Sequence, residues 1–420
     1  MNDFITNFLL PVFAIITGVF LYILTNSKQK KKKLNQKLTP FYTIADIEYA
    51  TTNYVQTKGQ LTNPLDRNNK DSVKFELITY FLKKVFWSNN PDSRVFLILG
   101  EPGSGKTTFL INLYAKYSNS NRSEHNIFLI PLSYPHALSD IREIEEPQSS
   151  ILLLDGFDED IEAIKSPLIR FNEILKETWK FKNVLITSRV QIFPNKETEP
   201  EYTYNINLRE SSGYHKIQKI YISPFDMSDI KQYINLNQNL DSQILNKIYN
   251  QLPRISKSPL LLNLLINSYH NQDKNSNTDV SVTSLYEAYI DSILTREAMK
   301  SIGDFETSKK RLYELNKEIA YKIFVSNKAY ISHHELTDFV ENQKLGLSTT
   351  EVISRSLLSR DSTGNYQFKH VSIFEYFMAL YAYENLMTGK IIPDDLPDSV
   401  KEIIEEFIKD KKEKTRQNNA

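Results

Sequence analysis

Apolar positions along this 420-residue chain fall into three patterns, each with its own structural meaning. From Phe4 to Leu24 no charged residue interrupts the run. As a helix rising about 1.5 Å per residue it spans ~30 Å, the thickness of a bilayer core. In the middle of the chain the apolar runs are short and continuous: VFLIL at 95–99, HNIFLIPLSY at 125–134, ILLL at 151–154, NVLITSRV at 183–190 and IQKIYISPF at 217–225. Each is too short for a helix and is followed by a helix-length stretch, which predicts strands buried on both faces of a parallel sheet. Towards the C-terminus the period becomes helical. Leu285, Ala288, Tyr289, Ser292 and Ile293 share a face behind a Ser284–Glu287 capping box, and Ile373, Phe374, Phe377, Leu380 and Tyr381 form a second stripe. Asp361 to Asn365 separate Leu357-Leu358 from Tyr366 to Phe368 and predict a hairpin. FYTIADIEYATTNYV, at 41–55, reads as an amphipathic helix. No repeat of 20–50 residues is visible, which argues against a solenoid or propeller.

Charge gives the first run a direction. Lys28, Lys30, Lys31, Lys32, Lys33 and Lys37 follow it, whereas only Asp3 precedes it, so the lysine side is expected to face the cytoplasm. Pro11 and Gly18 are tolerated in membrane helices. A cleaved signal peptide needs a basic front, a shorter apolar core and a small-residue cleavage site, and these are missing. Residues 1–27 are therefore expected to be a single-pass anchor in the inner membrane, with the remainder cytoplasmic. Elsewhere charge is uninformative: 51 basic residues balance 51 acidic ones, so no sequence-specific nucleic-acid partner is expected. The chain has no cysteine, which excludes disulfides, thiolate metal sites and cysteine nucleophiles.

The candidate chemistry lies where strands end. Gly100, Glu101, Pro102, Gly103, Ser104, Gly105, Lys106, Thr107 and Thr108 form G-x-x-x-x-G-K-[ST] between a strand and a helix. Three of the chain's 11 glycines fall within six positions. A loop that turns its N–H groups around phosphate oxygens needs that freedom. Lys106 is expected to reach the β- and γ-phosphates of ATP and Thr107 to ligate Mg²⁺. About 50 residues on, ILLLDGFDED aims four carboxylates at one place, a costly arrangement unless a cation sits among them. Asp155, at the strand's carboxyl end, is expected to hold Mg²⁺ opposite Thr107. Asp158 or Glu159 then polarises the attacking water. Arg189, at the end of NVLITSR, is the candidate γ-phosphate sensor.

GEPGSGKTTF, ILLLDGFDED with its small residue after the first aspartate and acidic pair beyond, and LITSR together resemble the NACHT family, the STAND-class signalling NTPases related to AAA+ proteins. SPFDMSDIKQYI, SPLLLNLLI, LYEAYIDSILTRE and FKHVSIFEYFMALYAY are similar to its later landmarks, so the resemblance covers roughly residues 70–385. It implies an α/β fold. An AAA+-like P-loop domain is expected at 70–224, a helical domain at 225–275 and a winged-helix-like domain at 276–390. A basic juxtamembrane segment and linker helix precede them at 28–69, and a charged tail follows at 391–420. The resemblance also implies that Pro259 touches the adenine and that His370 reaches the β-phosphate in a closed, ADP-bound state. Only about 35 residues follow 385, so the C-terminal repeat array of many relatives is expected to be absent or reduced. The expectation is a membrane-anchored, slowly hydrolysing ADP/ATP switch that self-assembles when an unknown trigger opens it, in bacterial anti-phage or stress defence. The alternative is a membrane-tethered AAA+-like motor that remodels a protein partner.

Overall fold

The computed structural model describes residues 34, 37–66, 72–88, 93–193, 199–200, 217–236, 257–260, 262–263, 266, 282–299, 304–343, 348–361, 364–368, 371–389, 392 and 395–418. The expected anchor at 4–24 lies outside them. Among the described residues no helix is long and apolar enough to cross a membrane.

Helix α1 (Ile44–Thr52) leads into strand β1 (Lys58–Gln60), strand β2 (Phe75–Glu76) and helix α2 (Leu77–Tyr80), which continues as a π-helical turn over Phe81–Phe86. Next come β3 (Val95–Leu99), α3 (Lys106–Ser118), β4 (Asn126–Pro131), α4 (Ala137–Arg142), β5 (Ser150–Asp155), α5 (Ile161–Lys165), α6 (Pro167–Thr178), β6 (Asn183–Ser188) and β7 (Ile217–Ile222). The sheet runs β2-β1-β7-β3-β6-β5-β4. Its last five strands are parallel, as the continuous apolar runs predict, while β1 and β2 pair antiparallel at one edge.

Alternation along the strands divides the core between the two faces. Phe96, Ile98, Ile151, Leu153, Leu185 and Ile220 point towards α1, α2 and α3, where Phe81 packs edge-on against Phe96. Leu97, Leu99, Leu152, Leu154, Val184 and Ile186 point towards α4 and α6, with Phe157, Phe171 and Phe193 in mutual ring contact. Each such side chain, fully buried, contributes roughly 1.5–3 kcal/mol, so the sheet is held rigidly from both sides.

The nucleotide-domain boundary expected at residue 70 is corrected, because Gly59 pairs with Ile222 and Lys58 with Glu76. The sheet therefore begins upstream, and α1 packs on α3, with the buried Asn112 donating to the Ala50 carbonyl at 2.8 Å. Strands of three and two residues are too short to carry a readable alternation.

After α7 (Met227–Leu236) the chain forms a second body: α8 (Val282–Met299), α9 (Phe305–Val325), α10 (His333–Gln343), α11 (Thr349–Arg355), β8 (Leu358–Arg360), β9 (Tyr366–Phe368), α12 (Val371–Met387) and α13 (Asp398–Asn418). β8 and β9 form an antiparallel hairpin, and Ile331 bridges to Tyr366 beside it. Two expectations are corrected here. Helix α8 starts at Val282, so Ser284 lies inside it and does not cap it. The charged tail expected at 391–420 holds a helix over 398–418, whose Val400 and Ile404 are buried and whose Phe407 packs against Tyr376 and Tyr383.

One feature of this body sets a pH response. Glu335 receives Lys328 at 2.7 Å and the Ser332 N–H at 2.9 Å, and these hold its carboxyl down to about 2 from an ordinary 4.5. A depressed carboxyl contributes stability that is complete above the unfolded pKa and is lost as pH falls through the folded one. Its side chain is partly exposed, so the contribution is small. We expect the thermal-midpoint gap between wild type and Glu335→Gln to close as pH falls from about 4.5 to about 2. A gap independent of pH excludes this capping pair as its source.

Candidate functional site

Strand β3 ends at Leu99, and the Gly100 N–H donates to the Ser188 carbonyl at 3.1 Å, so the glycine loop starts beside the end of β6. Gly103 and Gly105 have φ of 72° and 89°, in the left-handed region that favours glycine. A Cβ on Gly103 would also lie 2.7 Å from that of Leu260. Beyond the loop α3 begins with Lys106, its N-terminal amides facing the cleft, which suits an anion. Lys106 Nζ donates to the carbonyls of Gly100 at 2.8 Å and Glu101 at 3.0 Å. Burial pushes its pKa down, with Asp158 acting in the opposite direction.

Strand β6 lies between β3 and β5, and its end brings Thr187 and Arg189 between the loop and Asp155. Asp155 is buried. Thr107 Oγ1 donates to its Oδ2 and Thr187 Oγ1 to its Oδ1, both at 2.7 Å. The Tyr42 hydroxyl approaches Oδ2 at 3.3 Å. Thr187 Oγ1 also accepts the Gly156 N–H at 2.9 Å, fixing the turn after the aspartate. Burial raises the Asp155 pKa, against the two threonine hydroxyls, which lower it.

The acidic stretch divides into separate tasks. Asp158 accepts the Arg189 N–H at 3.0 Å and pairs with Arg189 Nε at 2.8 Å. Asp160 caps α5 through the Glu162 N–H and pairs with Arg170 at 2.7 Å. Glu159 is half-buried in the cleft wall.

Arg189 is 2% exposed. Besides Asp158 it binds Glu297 of α8 and donates to the Ser354 carbonyl of α11 at 2.5 Å. Burial opposes its charge, but Glu297 and Asp158 outweigh that and keep it protonated. Glu101 in the loop accepts from Ser359 of β8. The loop and the exit of β6 are thus both tied to the second body.

These elements enclose a cleft of about 240 Å³. Pro102 to Thr108 (the glycines included), Asp155, Asp158, Glu159 and Arg189 line it, together with Pro259, Tyr54, Val55, Phe225 and Tyr233. His370 lies outside the described residues. Sequence reasoning missed Tyr42, Tyr49, Tyr54, Tyr233, Arg296 and Glu297. Arg296 and Glu297 carried a signal, as charged residues on the apolar-striped helix that bears Leu285.

The site's residues fit a magnesium nucleotide. Ser104 Oγ, in the cleft wall, is buried without a hydrogen-bond partner among the described residues. Asp155 is a buried carboxylate that accepts from the neutral hydroxyls of Tyr42, Thr107 and Thr187. A threonine hydroxyl and one carboxylate are hard oxygen donors of the kind that hold Mg²⁺ together with phosphates and waters. Among the described residues there is no cluster of three or more acids or histidines able to cage a metal alone.

No family model matches the chain, and no curated protein does. Among solved structures the chain is similar to the Walker-type ATPase PABY2304 of Pyrococcus abyssi, at 9% identity and TM-score 0.44, covering 78% of this chain and 99% of that one. It is also similar to RuvB of Thermotoga maritima, at 12% identity and TM-score 0.31, covering 71% and 88%.

Arg189→Met removes the guanidinium that Asp158 and Glu297 share, leaving Glu297 the more distant Arg296 at 3.7 Å. Removing one partner of a buried pair typically costs about 3–5 kcal/mol, and we expect a loss of that size in urea denaturation. A loss below about 1 kcal/mol is incompatible with this network as the link between the two bodies.

Proposed function

We propose that this chain is an ATP-hydrolysing, nucleotide-gated switch of the NACHT (STAND) kind. The reading takes the sheet as an AAA+-like nucleotide domain and residues 276–390, α8 to α12, as a winged-helix-like domain closed upon it. The observation that carries the reading is the sharing of Arg189 between Asp158 on the nucleotide side and Glu297 on the second body. A sensor arginine placed there couples the phosphate end of the cleft to the contact that holds the two bodies together.

The roles follow from the geometry. Lys106 leaves two loop carbonyls to meet phosphate, a change of partner that costs little because neither carbonyl is charged. Thr107 and Asp155 hold the divalent cation, which supplies charge neutralisation across the phosphates. Asp158 is committed through both oxygens to Arg189, and a carboxylate held by a guanidinium is a poor base. We therefore give the water-orienting role to Glu159, in the cleft wall, and treat Asp158 as the positioner of Arg189. Pro259 and the cleft's tyrosines form the base-binding wall. The anchor at 4–24, the inner-membrane location, the self-assembly on activation and the role in anti-phage or stress defence belong to the same proposal and rest on the sequence.

The reading is tested by nucleotide exchange and light scattering on Glu297→Gln, which keeps the side-chain shape and removes the charge. ADP affinity falls by about tenfold, a typical coupling between two sites, and ATP drives larger assemblies than in wild type. Glu159→Gln abolishes turnover while ATP still binds. Fast, sustained turnover with weakly held ADP in the wild-type protein overturns the switch in favour of the remodelling motor.

A further inference from the structure

The segment just upstream of the sheet reaches into the cation end of the cleft. Residues 38–43 pass the carboxyl ends of β4 and β5, with Phe41 and Tyr42 packing on opposite faces of the sheet. Leu38 is buried in the core on the α3 side, which Tyr42 also joins. Phe41 packs on the other face, edge-on to Tyr134 with ring centroids 5.3 Å apart. A tight turn holds the crossing in shape, the Phe41 and Tyr42 N–H groups both donating to the Leu38 carbonyl at 3.0 and 2.9 Å. It ends in the capping box of Thr43 and Asp46 that starts α1.

α1 is itself fixed at two further points, by Asn112 on the Ala50 carbonyl and by the Tyr49 and Tyr233 hydroxyls 2.9 Å apart. A segment pinned on both sides of Tyr42 gives its ring little freedom. The phenol is delivered to Asp155 Oδ2, the oxygen that also accepts Thr107.

We propose that Tyr42 is a positioning residue of the divalent-cation subsite, its hydroxyl orienting Asp155 and thereby tying cation occupancy to the order of residues 38–43. The proposal rests on the reading of the cleft as a magnesium-nucleotide site. A metal-ligating carboxylate is held in place by its hydrogen-bond partners, and loss of one such partner typically weakens metal binding 10–100-fold. Thr107 and Thr187 belong to α3 and β6, elements of the nucleotide fold itself. Tyr42 comes from a segment outside the sheet, so it is the partner through which that segment is affected by the cation. Linkage makes the effect reciprocal: if the ordered segment favours the cation, the cation must favour the ordered segment.

Tyr42→Phe removes the hydroxyl and keeps the ring that packs in the core. The ADP complex is titrated with Mg²⁺ and followed by thermal shift, and amide hydrogen exchange is measured at residues 41–43. In wild type Mg²⁺ slows exchange at the Phe41 and Tyr42 amides. In Tyr42→Phe the Mg²⁺ midpoint rises by about tenfold and this protection disappears, while ADP affinity in EDTA stays at the wild-type value. A midpoint within about twofold of wild type, with ADP still bound, overturns the role of Tyr42 and leaves the nucleotide site standing. A wild-type protein that shows no Mg²⁺-dependent shift with ADP overturns both.

Discussion

A buried guanidinium has to be met by carboxylates or it destabilises the fold, and in this protein that requirement joins two bodies. Arg189 leaves β6, the middle one of the five parallel strands, where Asp158 satisfies one edge of its fork. The remaining donors find Glu297 and the Ser354 carbonyl on the second body. Separating the bodies would strip the arginine of half its partners and expose Glu297, which is now 1% exposed. A buried ion network of this kind contributes less net stability than its Coulomb attraction suggests, because desolvation offsets most of the gain. Its value lies in the asymmetry. Complete, it is tolerated; with one partner displaced, it is costly.

The same sheet end sets a different problem at Asp155. Three hydroxyls satisfy its lone pairs without neutralising its charge, and burial disfavours the ionised form. The three donors come from three parts of the chain: the glycine loop's helix, strand β6 and the segment before α1. The carboxylate is therefore a point where those parts meet, and the Arg189 network, two residues beyond Thr187, is another. The two are joined by backbone as well, since Gly156 N–H is held by the Thr187 hydroxyl that also binds Asp155.

Much of this end of the molecule was legible in the sequence, because strand, loop and helix follow one another within a few residues. The five parallel strands announced themselves as apolar runs, and the glycine loop and Asp155 stand where two of them end. What could not be read are pairings between distant positions. Tyr42 meets Asp155 across 113 residues, Arg189 meets Glu297 across 108, and Glu101 meets Ser359 across 258. No local spacing encodes such contacts. The β1–β2 edge was missed for lack of length. Helix α13 was missed because its lysine-rich second half hid the spacing of Val400, Ile404 and Phe407, which bury its first half. Arg189 and Asp158 were found by their places at strand exits, yet their commitment to each other depends on β5 and β6 being neighbours.

The charge around the cleft shows why the three groups of contacts belong to one site. Asp155, Asp158 and Glu159 face Lys106, Arg189 and Arg296 in its wall, and Glu297 stands behind them bound to Arg189. The wall and its support therefore carry one more carboxylate than cation. Arg189 is occupied by two of those acids and Arg296 stands 3.7 Å from one of them, Glu297, so Lys106, which donates to two loop carbonyls, is the cation placed to meet an anion. A polyphosphate entering such a place adds negative charge beside Asp155 and Glu159, where the low dielectric of the interior strengthens repulsion. One lysine offsets only part of that load, and on the proposed reading a divalent cation held between Thr107 and Asp155 would offset more of it. Nucleotide, loop and the segment bearing Tyr42 would then meet at that cation.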